Sequence, residues 1–336
     1  MNIKAYYQVK YTGNMEQKIK EIIKNLDIGR LNSHSWLGNG FSSHAYQIDT
    51  TEGSYVLLQS KKNAVEETSY KAYYATLRCL EKKKYSHSPK AVYVSPDGRT
   101  LLITKVDGIE VTKLKNVPAV DRKTIAFNIA DTLLALQSIK PDDLEKEFKA
   151  LGLKMPEPFS EEKDWDKYVI KTFYPYKDSA PKDAHTVWLE AQITAHTPVK
   201  NTSKGVFFRH GDTRGPNVLI GKDLSVILID WGDAKFYVSS KNREDFGLAY
   251  TLNHIDIMRE FKNEVLRYVA DKQKIAYSDL EKYIFEKQKD IKIADIAWAF
   301  MMYARATAGE VQDKPEVFKK ILDTRINEYK STFILK

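Results

Sequence analysis

Cysteine is almost absent: among 336 residues Cys79 stands alone, so no internal disulfide can form and nothing ties the chain to an oxidising compartment. Long apolar runs are missing too. No stretch approaches the roughly 18 uninterrupted apolar residues that a spanning helix needs. The opening MNIKAYYQVKYTGNMEQK alternates polar and aromatic residues instead of building the apolar core of a signal peptide. There is no internal repeat and no low-complexity segment. A cytoplasmic protein with no membrane partner is the expectation. Blocks of like charge are scarce as well: 53 basic and 45 acidic residues are intermixed, and only Lys82-Lys83-Lys84 forms a short run, read as the solvated end of a helix. The net charge of +8 suits a polyanion, but its dispersal favours ordinary surface charge over a nucleic-acid groove. What is present is apolar bulk, 43% hydrophobic and 12% aromatic, enough for a sizeable core in about two domains or one large two-lobed unit.

The chain changes character along its length. Ile19, Ile22, Ile23 and Leu26 recur at helical spacing and predict an amphipathic helix over 15–28. From Ser35 to Leu58 two β-rich runs are joined by the turn formers Asp49 to Gly53. Tyr70, Tyr73, Tyr74, Leu77 and Leu80 then mark one face of a helix over 66–84, and the runs KAVYVSP and TLLITKV read as strands around Pro96-Asp97-Gly98. This β, β, α, β, β order describes a small sheet with one helix packed on it. Beyond Gly108 the pattern turns helical, with a stripe over 125–139 and several helices after His254. The pieces GVFF, NVLI and LSVILID look like strands there, while 141–204 has no clear pattern.

Chemistry gathers in RHGDTRGPNVLIGKDLSVILIDWGDAKF. Asp212 and Asn217 stand five positions apart in a loop marked by Gly211, Gly215 and Pro216, free of helical constraint, so both side chains can converge on one point. The apolar run Val226 to Ile229 ends in Asp230, which delivers a carboxylate at the tip of a buried strand. Oxygen ligands without a His or Cys cluster favour a hard cation such as Mg²⁺. With so few protein ligands, phosphate oxygens must complete its octahedron, which points to a nucleotide.

His210-Gly211-Asp212, Asn217 and Ile229-Asp230-Trp231 resemble the paired signatures of the aminoglycoside phosphotransferase and choline kinase family, which has the protein-kinase-like fold. That resemblance implies an α+β, bilobal architecture: a small β-rich lobe with one main helix over 1–106, and a larger, mostly helical lobe over 107–336. It implies a small-molecule kinase that moves the γ-phosphate of ATP or GTP to a hydroxyl of an aminoglycoside, sugar, choline-like compound or amino alcohol. Asp212 would be the catalytic base, with Arg214 near the transferred phosphate, and Asn217 and Asp230 would hold Mg²⁺. His210 and Asp245 would brace the loop. The segment Leu37 to Ser43 resembles the phosphate-covering hairpin, its backbone around Gly38, Gly40, Ser42 and Ser43 closing over the nucleotide. Thr104 to Val106 would offer backbone groups to the base.

One departure stands out. The family carries a lysine on the third strand that contacts the phosphates and pairs with a glutamate of the next helix. Here the strand reads Tyr55-Val56-Leu57-Leu58-Gln59-Ser60, so either Gln59 takes the place or Lys61 reaches back, and no strand ion pair to Glu66 or Glu67 is expected. A protein kinase is disfavoured because only 15 residues separate Asp230 from Asp245, too few for a long activation segment, and no Ala-Pro-Glu follows. Asp295, Trp298 and Arg305, with the 141–204 insert, are candidates for holding the acceptor. The rival class is a nucleotide- or ligand-binding pseudoenzyme on the same fold.

Overall fold

The structure is a computed structural model that describes residues 3–39, 43–61, 70–160, 165–178, 184–195, 205–239, 246–311 and 314–334. The chain divides into two compact units. The first holds Met1–Gly108 together with Asp142–Met155 and Ile227–Gly232, and the second holds the rest. The partition is therefore not one of two consecutive stretches, because two later segments return to the first unit.

In the first unit, helix α1 (Ile3–Leu26) covers one face of a five-stranded antiparallel sheet. The strands are β1 (Leu31–Asn39), β2 (Ser43–Thr50), β3 (Ser54–Ser60), β4 (Ala91–Val94) and β5 (Thr100–Thr104), in the order β1-β2-β3-β5-β4. The first of the two expected β runs is itself a hairpin, β1 and β2. Ile19, Ile22 and Ile23 of α1 pack on Tyr46, Ile48, Leu57 and Leu102, which share a face because side chains alternate along a strand. Helix α2 (Tyr70–Lys82) lies within the predicted 66–84 and buries Tyr70, Tyr73, Leu77 and Leu80; Glu66 and Glu67 fall outside the described residues. Cys79 is buried on it.

Helix α4 (Pro141–Ala150) comes from the stretch without a clear pattern. Lys82, Lys83 and Lys84 are exposed at the end of α2, as the basic run predicts, and two of them also reach α4: Lys82 Nζ meets Glu147 Oε1 at 2.5 Å and Lys83 Nζ meets Asp143 Oδ2 at 2.9 Å. Two of the three lysines are partners of α4 carboxylates, which the linear sequence places some 60 positions away.

The second unit is mostly helical. Helix α3 (Ala119–Ala135) precedes α4 in the chain, and α5 (Ala184–Ala195), α6 (Phe246–His254), α7 (Asp256–Glu260), α8 (Lys262–Gln273), α9 (Tyr277–Thr307) and α10 (Pro315–Phe333) follow it. Phe173, Leu189, Ile296, Phe300, Leu322 and Ile326 form its main core, drawn from 166–173, α5, α9 and α10. Strand β6 (Ile109–Glu110) pairs with β8 (Val218–Ile220), and β7 (Gly205–Arg209) with β10 (Lys235–Ser239). Strand β9 (Val226–Leu228) carries the chain into the first unit just before Asp230. Among the described residues no helix is long and apolar enough to cross a membrane.

Candidate active site

Strand β7 ends at Arg209 and hands the chain to a loop held by bonds within itself and to α6. His210 is 1% exposed and its Nδ1 accepts the Asp212 amide at 3.3 Å. Gly211 has φ +89°, and a Cβ there would stand 2.3 Å from the Asp233 carbonyl oxygen, so both conformation and space require glycine. The Arg214 amide donates to the Asp212 carbonyl and the Asn217 amide to the Arg214 carbonyl, closing a turn over 215–217. That turn brings the two predicted side chains together. Asn217 Nδ2 donates to Asp212 Oδ2 at 2.8 Å and to the Asp212 carbonyl at 3.0 Å.

The Asp212 carboxylate has two further partners: Arg214 Nε lies 3.0 Å from Oδ2, and the Tyr250 hydroxyl donates to Oδ1 at 3.0 Å. Arg214 itself is largely open to solvent. Beside Tyr250, Thr251 meets Thr213 at 2.9 Å, so adjacent residues of α6 grip adjacent residues of the loop. The Tyr250 ring packs against His254 with centroids 4.2 Å apart and planes tilted by 44°, and burial, reinforced by the charge of Asp212, raises its phenol far above the usual range.

His254 leads on to Asp295 of α9. Its Nε2 is 3.6 Å from Asp295 Oδ2, too long for a hydrogen bond, while Asn253 Nδ2 donates to the same oxygen at 3.2 Å. Burial pulls His254 down to about 4 and pushes Asp295 up to about 6. Arg325 bonds the Asp295 carbonyl at 2.5 Å and lies over the Trp298 ring at 5.2 Å.

In the first unit, Asp230 follows β9 with φ +62°, a left-handed conformation uncommon for a residue other than glycine. The turn is held by Trp231, whose Nε1 donates to the Leu228 carbonyl at 2.8 Å and whose ring meets Tyr85 edge-on. Burial raises Tyr73 and Tyr70 of α2, and the charge of Asp230 adds to both; the backbone of Asp230 and Trp231 bonds the Tyr73 hydroxyl. Ser43 acts on Tyr70 in the opposite direction to Asp230.

The remaining expectations fare unequally. Gly38 pairs with Ala45 at a register shift in the β1–β2 hairpin, whereas Gly40, Ser42 and Asp245 lie outside the described residues. Thr104 is bonded to Lys90 through its amide and its hydroxyl, and Val106 is half-buried. Gln59 stands on the α1 face, two positions from Leu57, where its Oε1 accepts Lys18 Nζ at 2.5 Å and Thr100 Oγ1 at 3.0 Å, and its Nε2 donates to the Arg99 carbonyl. Placing it over phosphate is corrected by this geometry, since strand alternation turns Leu58, not Gln59, to the opposite face. Lys61 lies near His44 and, second to burial, lowers its pKa.

Sequence reasoning missed Lys18, Tyr73 and Tyr250. Only Tyr250 left a signal, in its spacing of four from His254 on one helix.

A model of the phosphotransferase enzyme family matches residues 35–238, more than half of the chain. No curated protein matches it by sequence. Among solved structures, the gentamicin complex of APH(2'')-IIa aligns with TM-score 0.62 at 18% identity, over 95% of this chain and 96% of that one. ADP-bound aminoglycoside phosphotransferase APH(2'')-Ib aligns with TM-score 0.57 at 19% identity, over 95% and 98%. A thermostable mutant of aminoglycoside phosphotransferase APH(4)-Ia, in its apo form, aligns with TM-score 0.53 at 12% identity, over 93% and 99%. These likenesses establish the protein-kinase-like α+β fold expected from the paired signatures. By the family model that spans both signatures, the chain belongs to the phosphotransferase enzyme family.

Proposed function

We propose that the protein transfers the γ-phosphate of ATP to a hydroxyl of a small molecule, with Asp212 as the base and Asn217 and Asp230 as Mg²⁺ ligands. The observation that carries this reading is the amide of Asn217. Its Nδ2 is engaged by Asp212, so its Oδ1 is the atom left for a cation, the oxygen donor that Mg²⁺ prefers. A carboxylate held at Asp230 in a strained backbone conformation suits the second ligand. When bound, the ion would neutralise triphosphate charge and orient the γ-phosphate.

The protein's own residues do the rest. Asp212 accepts the proton of the attacking hydroxyl, and Arg214 extends its guanidinium from the same carboxylate toward transferred phosphate. The backbone at Gly38 and Ser43 would serve the phosphates, and Thr104 to Val106 the base. The solved structures of the family likeness include ATP and ADP complexes, which supports ATP as donor over GTP. We place the reaction in the cytoplasm, where ATP is available.

The acceptor is a hydroxyl compound of the classes the resemblance implies: an aminoglycoside, sugar, choline-like compound or amino alcohol. Gentamicin and streptomycin are bound by the similar proteins. Around His254 and Asp295 the cations Lys292 and Arg214 are paired with Glu328 and Asp212, so charge there does not turn away a cationic acceptor. A second reading, a nucleotide-binding pseudoenzyme, draws on Leu58 and Gln59, which leave the third strand without its phosphate-contacting cation.

One experiment separates these: Mg²⁺-dependent ATP consumption across sugars, polyols, amino alcohols, choline-like compounds and aminoglycosides, with Asp212→Asn as blank. Turnover with at least one hydroxyl acceptor of the panel is expected. Stabilisation by Mg-ATP with no transfer or hydrolysis across the panel establishes the pseudoenzyme instead.

A further inference from the structure

Among the described residues three donors reach the Asp212 carboxylate, and they are unequally divided. Asn217 Nδ2 and Arg214 Nε both reach Oδ2, and the Tyr250 hydroxyl alone reaches Oδ1. A carboxylate oxygen offers two lone-pair sites. Oδ2 is therefore filled, and Oδ1 keeps one site open. Resting on the reading of Asp212 as the base, we propose that Oδ1 is the atom that takes the acceptor's proton and that Tyr250 is the positioning residue that holds it in place.

Tyr250 is well placed to do this. Its ring is fixed against His254, and its helix is fastened to the loop at the next residue, where Thr251 bonds both Thr213 and the Gly247 carbonyl. Rotation of the carboxylate about its Cβ–Cγ bond would exchange the two oxygens, and Tyr250 on one side with Asn217 and Arg214 on the other prevents it. In the transfer step the acceptor O–H bond breaks and its proton passes to Oδ1, while the acceptor oxygen bonds to the γ-phosphorus. The bond from the γ-phosphorus to the bridging oxygen breaks, and its electron pair leaves with ADP. Two donors on one oxygen are neighbours, so the acceptor hydroxyl sits beside the phenol, and Tyr250 borders the acceptor's reacting end.

The test uses the full chain with Mg-ATP and water as acceptor, followed as phosphate release, in Tyr250→Phe, Asp212→Asn and the double variant, with melting temperatures recorded. Expected is a kcat reduced on the order of 10- to 100-fold in Tyr250→Phe, the scale of a misplaced reacting group, with the KM for ATP unchanged within about twofold. The double variant should be no slower than Asp212→Asn alone, because the tyrosine acts through the aspartate. A Tyr250→Phe enzyme that melts near wild type and keeps its kcat while Asp212→Asn is slow overturns the proposal, as does a double variant slowed by the product of the single effects. Should Tyr250→Phe fail to fold, 3-fluorotyrosine at 250 keeps ring and hydroxyl but strengthens donation to Oδ1. Its kcat should fall, and an unchanged kcat overturns the proposal. Wild-type turnover in Asp212→Asn, or none in the wild type, removes the base reading itself.

Discussion

Asn217 donates its side-chain amide to both the carboxylate and the carbonyl of Asp212, so the second predicted site residue is built on the first. Replacing Asn217 with Asp puts two carboxylates at a 2.8 Å contact, where like charges repel and one must bind a proton. The expected outcome is a less stable protein with turnover reduced by about 10³-fold or more, as for loss of a group that stabilises transition-state charge. Asp212→Asn and Asp230→Ala should lose similar amounts. Steady-state kinetics at saturating ATP checks this, and near-normal rates in any of the three remove that residue from its role.

Asp230 separates stability from activity. At φ +62° a glycine is more comfortable than an L-residue, so Asp230→Gly should be at least as stable as wild type and about 1 kcal/mol more stable than Asp230→Ala. Both should be inactive. Urea unfolding of the pair measures the difference, and equal midpoints would show that the backbone is not strained there.

Gly211 has no room for a side chain. Alanine must push the Asp233 carbonyl from a 2.3 Å contact while adopting φ +89°, and about 2 kcal/mol or more of destabilisation is expected. Activity should fall with it, because the next residue is Asp212. A melting temperature within a degree of wild type would contradict this.

The His254 and Asp295 pair has opposite pH signs. Burial lowers His254 to about 4, so the unfolded state holds the extra proton and stability rises with pH from about 4 to 6.5. Burial raises Asp295 to about 6, so the folded state holds the extra proton and stability falls as pH rises from about 4 to 6. The two slopes oppose each other in one window, amid Lys292, Arg325, Arg214, Asp212 and Glu328. Asp295→Asn removes the falling slope, so its melting temperature should climb more steeply with pH than the wild type's between 4 and 6.5. Parallel curves would show that Asp295 does not titrate there.

Much of this was legible beforehand. The stripe Ile19, Ile22, Ile23 announced the helix that packs on the sheet, and the spacing of Asp212, Asn217 and Asp230 announced a phosphotransferase family. Local periodicity and short-loop spacing survive folding because they need only neighbours in the chain. Gln59 was misread for the complementary reason. One position of strand parity decides which face a side chain joins, and α1, some 40 positions earlier, supplied Lys18 as its partner.

Sequence alone therefore determined the main elements of the first unit and the family, and it nominated Asp212, Asn217 and Asp230, since each follows from residue type and distance along the chain. Tertiary structure alone decided that Tyr250 holds one oxygen of Asp212 and that Lys82 and Lys83, exposed as expected, also pair with Glu147 and Asp143 of α4. The reason is physical. Hydrogen bonds and ion pairs are made at about 3 Å between groups that only packing brings together, and no pattern in a linear text encodes that distance.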